Sequence, residues 1–196
     1  MWLKRQSGAT LDLVSLDEAR DHLRIIGGDH DADIQQAIAA ASSFLDVDED
    51  GFGGLGFPMV AQHWSVKASG FTPKLLRLPF PRISSVDEMR YLPMVGGAQV
   101  VPAEHYVVRR AGRLSQVVLL ASFECPPLAD RPDAVEVLFT AGWVDVASVP
   151  ADIKQAAKLL LAHFFENRQA EIEGAVTSEL QLGVDRLTAR YRRFAV

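Results

Sequence analysis

The stretch that most constrains this chain runs from Val149 to Arg168. Pro150 suits the first position of a helix, where its missing N–H would have no partner anyway. Asp152 follows in the first turn, where a negative charge faces the positive end of the helix dipole. Ile153, Ala156, Ala157, Leu160, Leu161, Phe164 and Phe165 recur at helical spacing and form one wide apolar stripe. Lys154, Gln155, Lys158, Glu166 and Asn167 lie largely off it. Such a helix must bury its stripe, either against the rest of its own chain or against a neighbouring copy.

The remaining elements follow from the same kind of pattern. Ser15-Leu16-Asp17-Glu18 reads as a capping box, opening a short helix through about Arg24 that Gly27-Gly28 ends. Asp29, Asp31 and Asp33 open a second helix with Ile34, Ala37, Ile38, Ala41, Phe44 and Leu45 on one face. The glycine-rich run from Asp50 to Pro58 stops it. Short strands are then expected at Val60 to Lys67, Leu75 to Leu78, Ile83 to Leu92, Gln99 to Val101, Tyr106 to Arg109, Leu114 to Leu120 and Ala134 to Thr140. Prolines between them suit edge strands and turns. Ala175 to Gly183 is ambiguous, and Val184 to Tyr191 reads as a last short helix.

The strands are consecutive rather than alternating with helices, so the expected class is α+β. Helices from both ends form a helical body, interrupted by a small antiparallel β domain. The expected boundaries are 1–52 for the N-terminal helices, 53–147 for the β insertion, and 148–196 for the long helix and tail.

Charge and composition narrow the function. A formal net charge of −5 argues against a nucleic-acid coater, which needs a basic surface. One cysteine, Cys125, allows no internal disulfide and no Cys-rich metal site. Met1 to Thr10 lacks the apolar core of a signal peptide, and no apolar run approaches the roughly 20 residues that span a bilayer. No membrane partner is expected.

Three motifs invite a chemical reading. Asp46, Asp48 and Asp50 followed by Gly51 match the opening of a calcium loop, three alternating carboxylates and then a glycine for the turn. The twelfth place, which needs a bidentate carboxylate, is Phe57. A solvated acidic helix end explains the run better. Asp29, Asp31 and Asp33 are better explained by a helix start than by a metal. His22, His63, His105 and His163 lack the paired spacing of a zinc helix. No serine elbow, phosphate loop or activated cysteine is present, so no catalytic or cofactor-binding residue is assigned.

The distribution of charge carries more. Acids mark both ends of the second helix, while Arg186, Arg190, Arg192 and Arg193 gather in the tail. Opposed patches of this kind can fix register between subunits. Phe52 and Phe57 lie on a glycine-rich loop, where an apolar group either tucks under or awaits a partner.

Phe139-Thr140-Ala141-Gly142-Trp143, then Val149-Pro150-Ala151-Asp152-Ile153-Lys154-Gln155-Ala156, then Phe165-Glu166-Asn167-Arg168 resemble the signature of phage head–tail connector proteins. These are also called adaptor or head-completion proteins. The form with a β insertion, found in long-tailed phages and gene transfer agents, is the most similar. Leu16 to Arg24, Leu78 to Val86 and Gly183 to Arg192 resemble the same family in the same order. The pattern departs at Asp46 to Gly56 and at Gln169 to Leu182.

The resemblance implies a structural protein with no enzymatic activity and no cofactor. It implies a ring, usually of twelve copies, under the portal, joining it to the next neck or tail-completion component. DNA would pass through the ring without sequence-specific binding. The implied location is the bacterial cytoplasm during assembly and then the neck of the particle. The interface candidates are His163, Glu166 and Arg168 on the long helix, with Arg186, Arg190, Arg192 and Arg193 in the tail. The competing reading is a small metal- or ligand-binding module built on the acidic loop 46–51. A hydrolase whose site is assembled only in space is a third.

Overall fold

The computed structural model describes residues 2–9, 11–71, 75–111, 114–167 and 178–192. The chain divides into two compact units, one helical and one of sheets. The class is α+β, with four α-helices and two antiparallel sheets among the described residues. None of these helices is long and apolar enough to cross a membrane.

The helical unit takes Thr10–Asp48, Phe52–Val60 and Trp143–Val196. Helix α1 spans Leu16–Leu23 and opens on the capping box that its sequence announces. The Glu18 N–H donates to Ser15 Oγ at 3.2 Å, and the Ser15 N–H donates to Glu18 Oε2 at 3.0 Å. Its end departs from expectation. Arg24, not a glycine, takes the left-handed conformation at φ 57°, and the Ile25 N–H returns to the Arg20 carbonyl at 3.0 Å. The helix therefore stops before Gly27-Gly28 is reached.

Helix α2 spans Asp31–Leu45 and buries Ile34, Ala37, Ile38, Ala41 and Leu45. Helix α3 spans Ala151–Glu166 and buries Ile153, Ala156, Ala157, Leu160 and Leu161. Pro150 sits just before its first turn as the cap residue. The small Ala faces of α2 and α3 let the two helices approach, and α3 packs on α2, α4 and α1. The stripe thus finds its cover within the chain. Burial of each large side chain on it contributes about 1.5–3 kcal/mol. Phe164 and Phe165 are only half-buried, Phe164 meeting the Phe44 ring at 6.4 Å.

Helix α4 spans Ser178–Thr188, so it is already under way six residues before the expected Val184. The polar Ser178-Glu179 pair and Gly183 hide it in the sequence, because glycine weakens a helix interior. Val184 and Thr188 are its buried positions.

The sheet unit takes Met1–Ala9, Glu49–Gly51 and Ala61–Gly142. Its strands are β1 Trp2–Ser7, β2 Gln62–Ala68, β3 Leu75–Leu78, β4 Ile83–Tyr91, β5 Gln99–Val100, β6 Tyr106–Ala111, β7 Leu114–Leu119 and β8 Val135–Ala141. They form a five-stranded sheet ordered β1-β2-β8-β4-β5 and a separate three-stranded sheet ordered β3-β7-β6. Strand β8 buries Val135, Val137, Phe139 and Ala141 in strict alternation, as a core strand should. Leu76, Val117 and Leu119 of the small sheet line one enclosed space with Met89 and Val135 of the large one. The turn expected at Ala111-Gly112 has its Gly112 outside the described residues; the strands on either side pair antiparallel.

Strand β1 has no counterpart in the sequence reading. Lys4 and Arg5 break its apolar alternation, yet it pairs with β2 from Trp2 opposite Lys67 to Ser7 opposite His63. Its outer edge is blunted rather than open. The Arg5 N–H donates to the Glu49 carbonyl at 3.2 Å, which limits further strand pairing there.

Candidate functional site

The acidic run at the end of α2 is a local structural device. Asp46 Oδ1 accepts the N–H of Val47 at 2.9 Å and of Met59 at 3.0 Å. Asp48 Oδ1 accepts the Phe52 N–H at 2.8 Å. The loop folds back so that the Leu55 N–H reaches the Leu45 carbonyl at 3.0 Å. Gly54, at φ +46°, makes this possible, because a Cβ there would stand 2.2 Å from the Asp46 carbonyl oxygen. Leu55, Phe57 and Met59 are buried by the fold-back, and Phe57 packs on the Trp143 ring at 5.7 Å. Phe52 stays out, 64% exposed. Asp50 belongs to the sheet unit. Among the described residues no group of three His, Cys, Asp or Glu side chains is placed to hold a metal ion.

The acids at the start of α2 have a similar explanation. Arg20 reaches from α1 to Asp31, its Nε donating to Oδ1 at 2.9 Å, while its Nη1 donates to Asp17 Oδ1 at 3.0 Å. Those carboxylates raise the Arg20 pKa, the Asp31 hydrogen bond most of all. Glu18 is lowered from its usual 4.5, first by the backbone N–H of Ser15, against the opposing effect of burial, and further by Lys154. Lys154 Nζ lies 3.6 Å from Glu18 Oε1, tying α3 to α1.

The expected interface residues fall in two groups. At the end of α3, His163 is half-buried and Glu166 exposed. Asn167 closes the helix there, its Nδ2 donating to the His163 carbonyl at 2.9 Å. Arg186 is exposed on α4. Arg190 and Arg192 of the tail are engaged within the chain. Arg190 pairs with Asp152 in the first turn of α3 and lies over its own neighbour Tyr191, 4.9 Å from the ring centroid. Arg192 Nη2 donates to Asp185 Oδ1 at 2.8 Å. Arg168 and Arg193 lie outside the described residues.

One constellation escaped the sequence reading, because it draws on three strands. Thr140 Oγ1 of β8 donates to Asp87 Oδ2 of β4 at 2.9 Å and lies 3.0 Å from His63 Nδ1 of β2. Ser85 Oγ donates to Asp87 Oδ1 at 2.6 Å. A carboxylate only accepts, so the threonine proton points to Asp87 and His63 Nδ1 is the donor to Thr140. The imidazole is therefore not placed as a base toward that hydroxyl, as a nucleophile–base pair requires. All four groups lie on the solvent side of the sheet and fix β2, β8 and β4 to one another. A groove of about 1020 Å³ beside β1 brings Lys4, Lys67, Arg131, Asp133 and Glu136 together. Four of these charges pair locally, Lys67 with Glu136 at 3.7 Å and Arg131 with Asp133 at 2.7 Å. Cys125 is exposed.

The whole chain is similar in fold to solved structures of one kind of assembly. A chain in the neck of an empty GTA particle, computed with C6 symmetry, matches at a TM-score of 0.69 and 23% identity. The match covers 100% of this chain and 97% of that one. A chain in the virion of a native gene transfer agent particle matches at 0.67 and 22%, with the same coverage. A chain in the neck of a native GTA particle computed with C12 symmetry matches at 0.66 and 22%, again with the same coverage. No family model matches this chain, and no curated protein does. At this level of identity the likeness is one of fold.

Proposed function

We propose that this chain is a structural component of the neck of a phage-like or gene transfer agent particle. In this reading it is a head–tail adaptor, twelve copies of which form a ring under the portal and join it to the next neck or tail-completion component. The observation that carries the reading is the full-length fold likeness to chains of symmetric neck assemblies, 100% of this chain against 97% of those. The ordered motifs from Leu16 to Arg192 support it independently of the fold. The reading assigns no catalytic residue and no cofactor.

A net charge of −5 suits a wall past which DNA must slide, since like charge keeps the polymer from sticking. His163 and Glu166 at the end of α3, with Arg186 on α4, are the described residues we assign to contacts with the portal or a neighbour. Arg190 and Arg192 hold Asp152 and Asp185 of their own chain and act first on the fold.

The test is deletion of the gene in cells that make the particles. The reading predicts filled or leaking heads and separate tails, with joined particles restored by the wild-type gene. Joined, infectious or gene-transferring particles in its absence contradict it.

A further inference from the structure

The charge of the chain is unevenly shared. The sheet unit carries 11 Lys and Arg against 9 Asp and Glu, net +2, and the helical unit 9 against 16, net −7. All of that −7 lies in residues 10–48, where 9 acids stand against Arg20 and Arg24, although Glu18, Asp46 and Asp48 among them bond to the backbone. Asp17 and Asp21, four residues apart on α1, lie on one exposed face, Asp17 also bonding to Arg20 at its edge. Ile26 follows them, 101% exposed.

The sheet unit has a face of the opposite kind. Arg77 of β3 and Arg109 of β6 both stand opposite Gln116 of β7, which makes one polar row across the small sheet. Two strand spacings separate the arginines by about 10 Å. Leu75, Val118 and Val107 form the next row on that face. Val107 is 38% exposed. The opposite face buries Ser115, Val117 and Leu119.

We propose that the Arg77–Arg109 face of β3-β7-β6 docks on the acidic α1–α2 segment of a second copy of this chain. Cations beside an aliphatic row match, in both charge and hydrophobicity, a segment that carries exposed acids and the exposed Ile26. A DNA backbone would use the cations and leave the aliphatic row wet. Such a contact joins two different patches, the heterologous kind that closes rings when its rotation closes. The inference rests on the ring reading above and supplies a contact for it.

The experiment is sedimentation velocity of the full chain at low and high salt, with thermal melts to confirm that each variant is folded. The wild type should self-associate at low salt and weaken as salt rises. The pair R77E/R109E and the pair D17K/D21K should each weaken association at least tenfold. Mixed one to one, the two variants should recover it, because each then offers the partner charge the other lacks. A wild type that stays monomeric, reversed variants that associate as the wild type does, or a mixture that fails to recover overturns the proposal. So does binding of a labelled DNA duplex that R77E/R109E abolishes while self-association is unchanged. Particles with normal necks built from R77E/R109E remove this contact and leave the neck reading standing, whereas an undisturbed deletion strain removes the neck reading itself.

Discussion

The helical unit collects its four described helices from both halves of the chain, and the sheet unit is nearly one continuous stretch with β1 added. The first is strongly acidic and the second is close to neutral. In the helical unit a carboxylate often has a backbone task. Glu18 closes a capping box, Asp46 and Asp48 tie the loop after α2, and Asp145 Oδ1 accepts the Ala147 N–H at 2.9 Å. In the sheet unit the backbone is satisfied by ladders, and acids pair with neighbouring cations instead, as in Glu88 with Arg90 and Asp133 with Arg131. An acidic count therefore overstates the surface available for partners in the helical unit. Only acids without a backbone role, such as Asp21 and Asp29, argue for recognition.

The largest expected effect tests what holds the helical unit. Leu160 has no exposed surface, so Leu160→Asp should cost about 4 kcal/mol or more and abolish the cooperative melt followed by circular dichroism. In the sheet unit Trp64→Ala should cost about 3–5 kcal/mol, since the indole is fully buried against the Phe80 ring at 4.9 Å. A mild effect of Leu160→Asp beside a severe one of Trp64→Ala would show that the stripe on α3 is not the centre of its unit.

Next comes the acidic loop. Gly54→Ala should cost about 1–3 kcal/mol in urea unfolding, from a left-handed backbone and a Cβ against the Asp46 carbonyl. Millimolar Ca²⁺ should leave the melting temperature where EDTA leaves it, because Asp46 already serves two backbone N–H groups. A calcium-dependent rise would return the loop to the metal-binding reading.

The capping box gives a smaller, pH-dependent effect. The Glu18 pKa is depressed in the folded chain, so its contribution is full above the ordinary value of 4.5 and is lost as pH falls through the lower folded value. Glu18→Gln should therefore destabilise at pH 7 by under about 0.5 kcal/mol, given its partial exposure and solvent screening. The gap to wild type should close at acid pH. A gap that widens on acidification would mean that Glu18 is not held as an anion.

Much of this was legible in the sequence where one element carries its own signal. The α3 stripe, the Ser15–Glu18 box and β8 declare themselves because periodicity and caps are local. Strand β1 does not, since its stability comes from pairing with β2 some 60 residues on, from Leu3 opposite Val66 to Arg5 opposite Trp64. The Arg24 cap was missed because glycine is the usual left-handed residue there. The tail arginines looked free in one dimension, yet Arg190 and Arg192 find Asp152 and Asp185 only in three. The His63, Asp87 and Thr140 group was beyond sequence reasoning for the same cause.

The smallest effect on the fold separates stability from assembly. Glu166→Lys, at the exposed end of α3, should leave the melt unchanged and weaken incorporation into particles. Equal damage to melt and assembly would place Glu166 in the core logic of the helix instead.

The most direct test is to locate the chain in the finished particle. Tagged chain in purified particles, imaged by cryo-electron microscopy with a label on the tag, should appear as a single ring between head and tail, twelve copies to a particle. Label on the capsid shell, along the tail, or absent from washed particles would contradict the account.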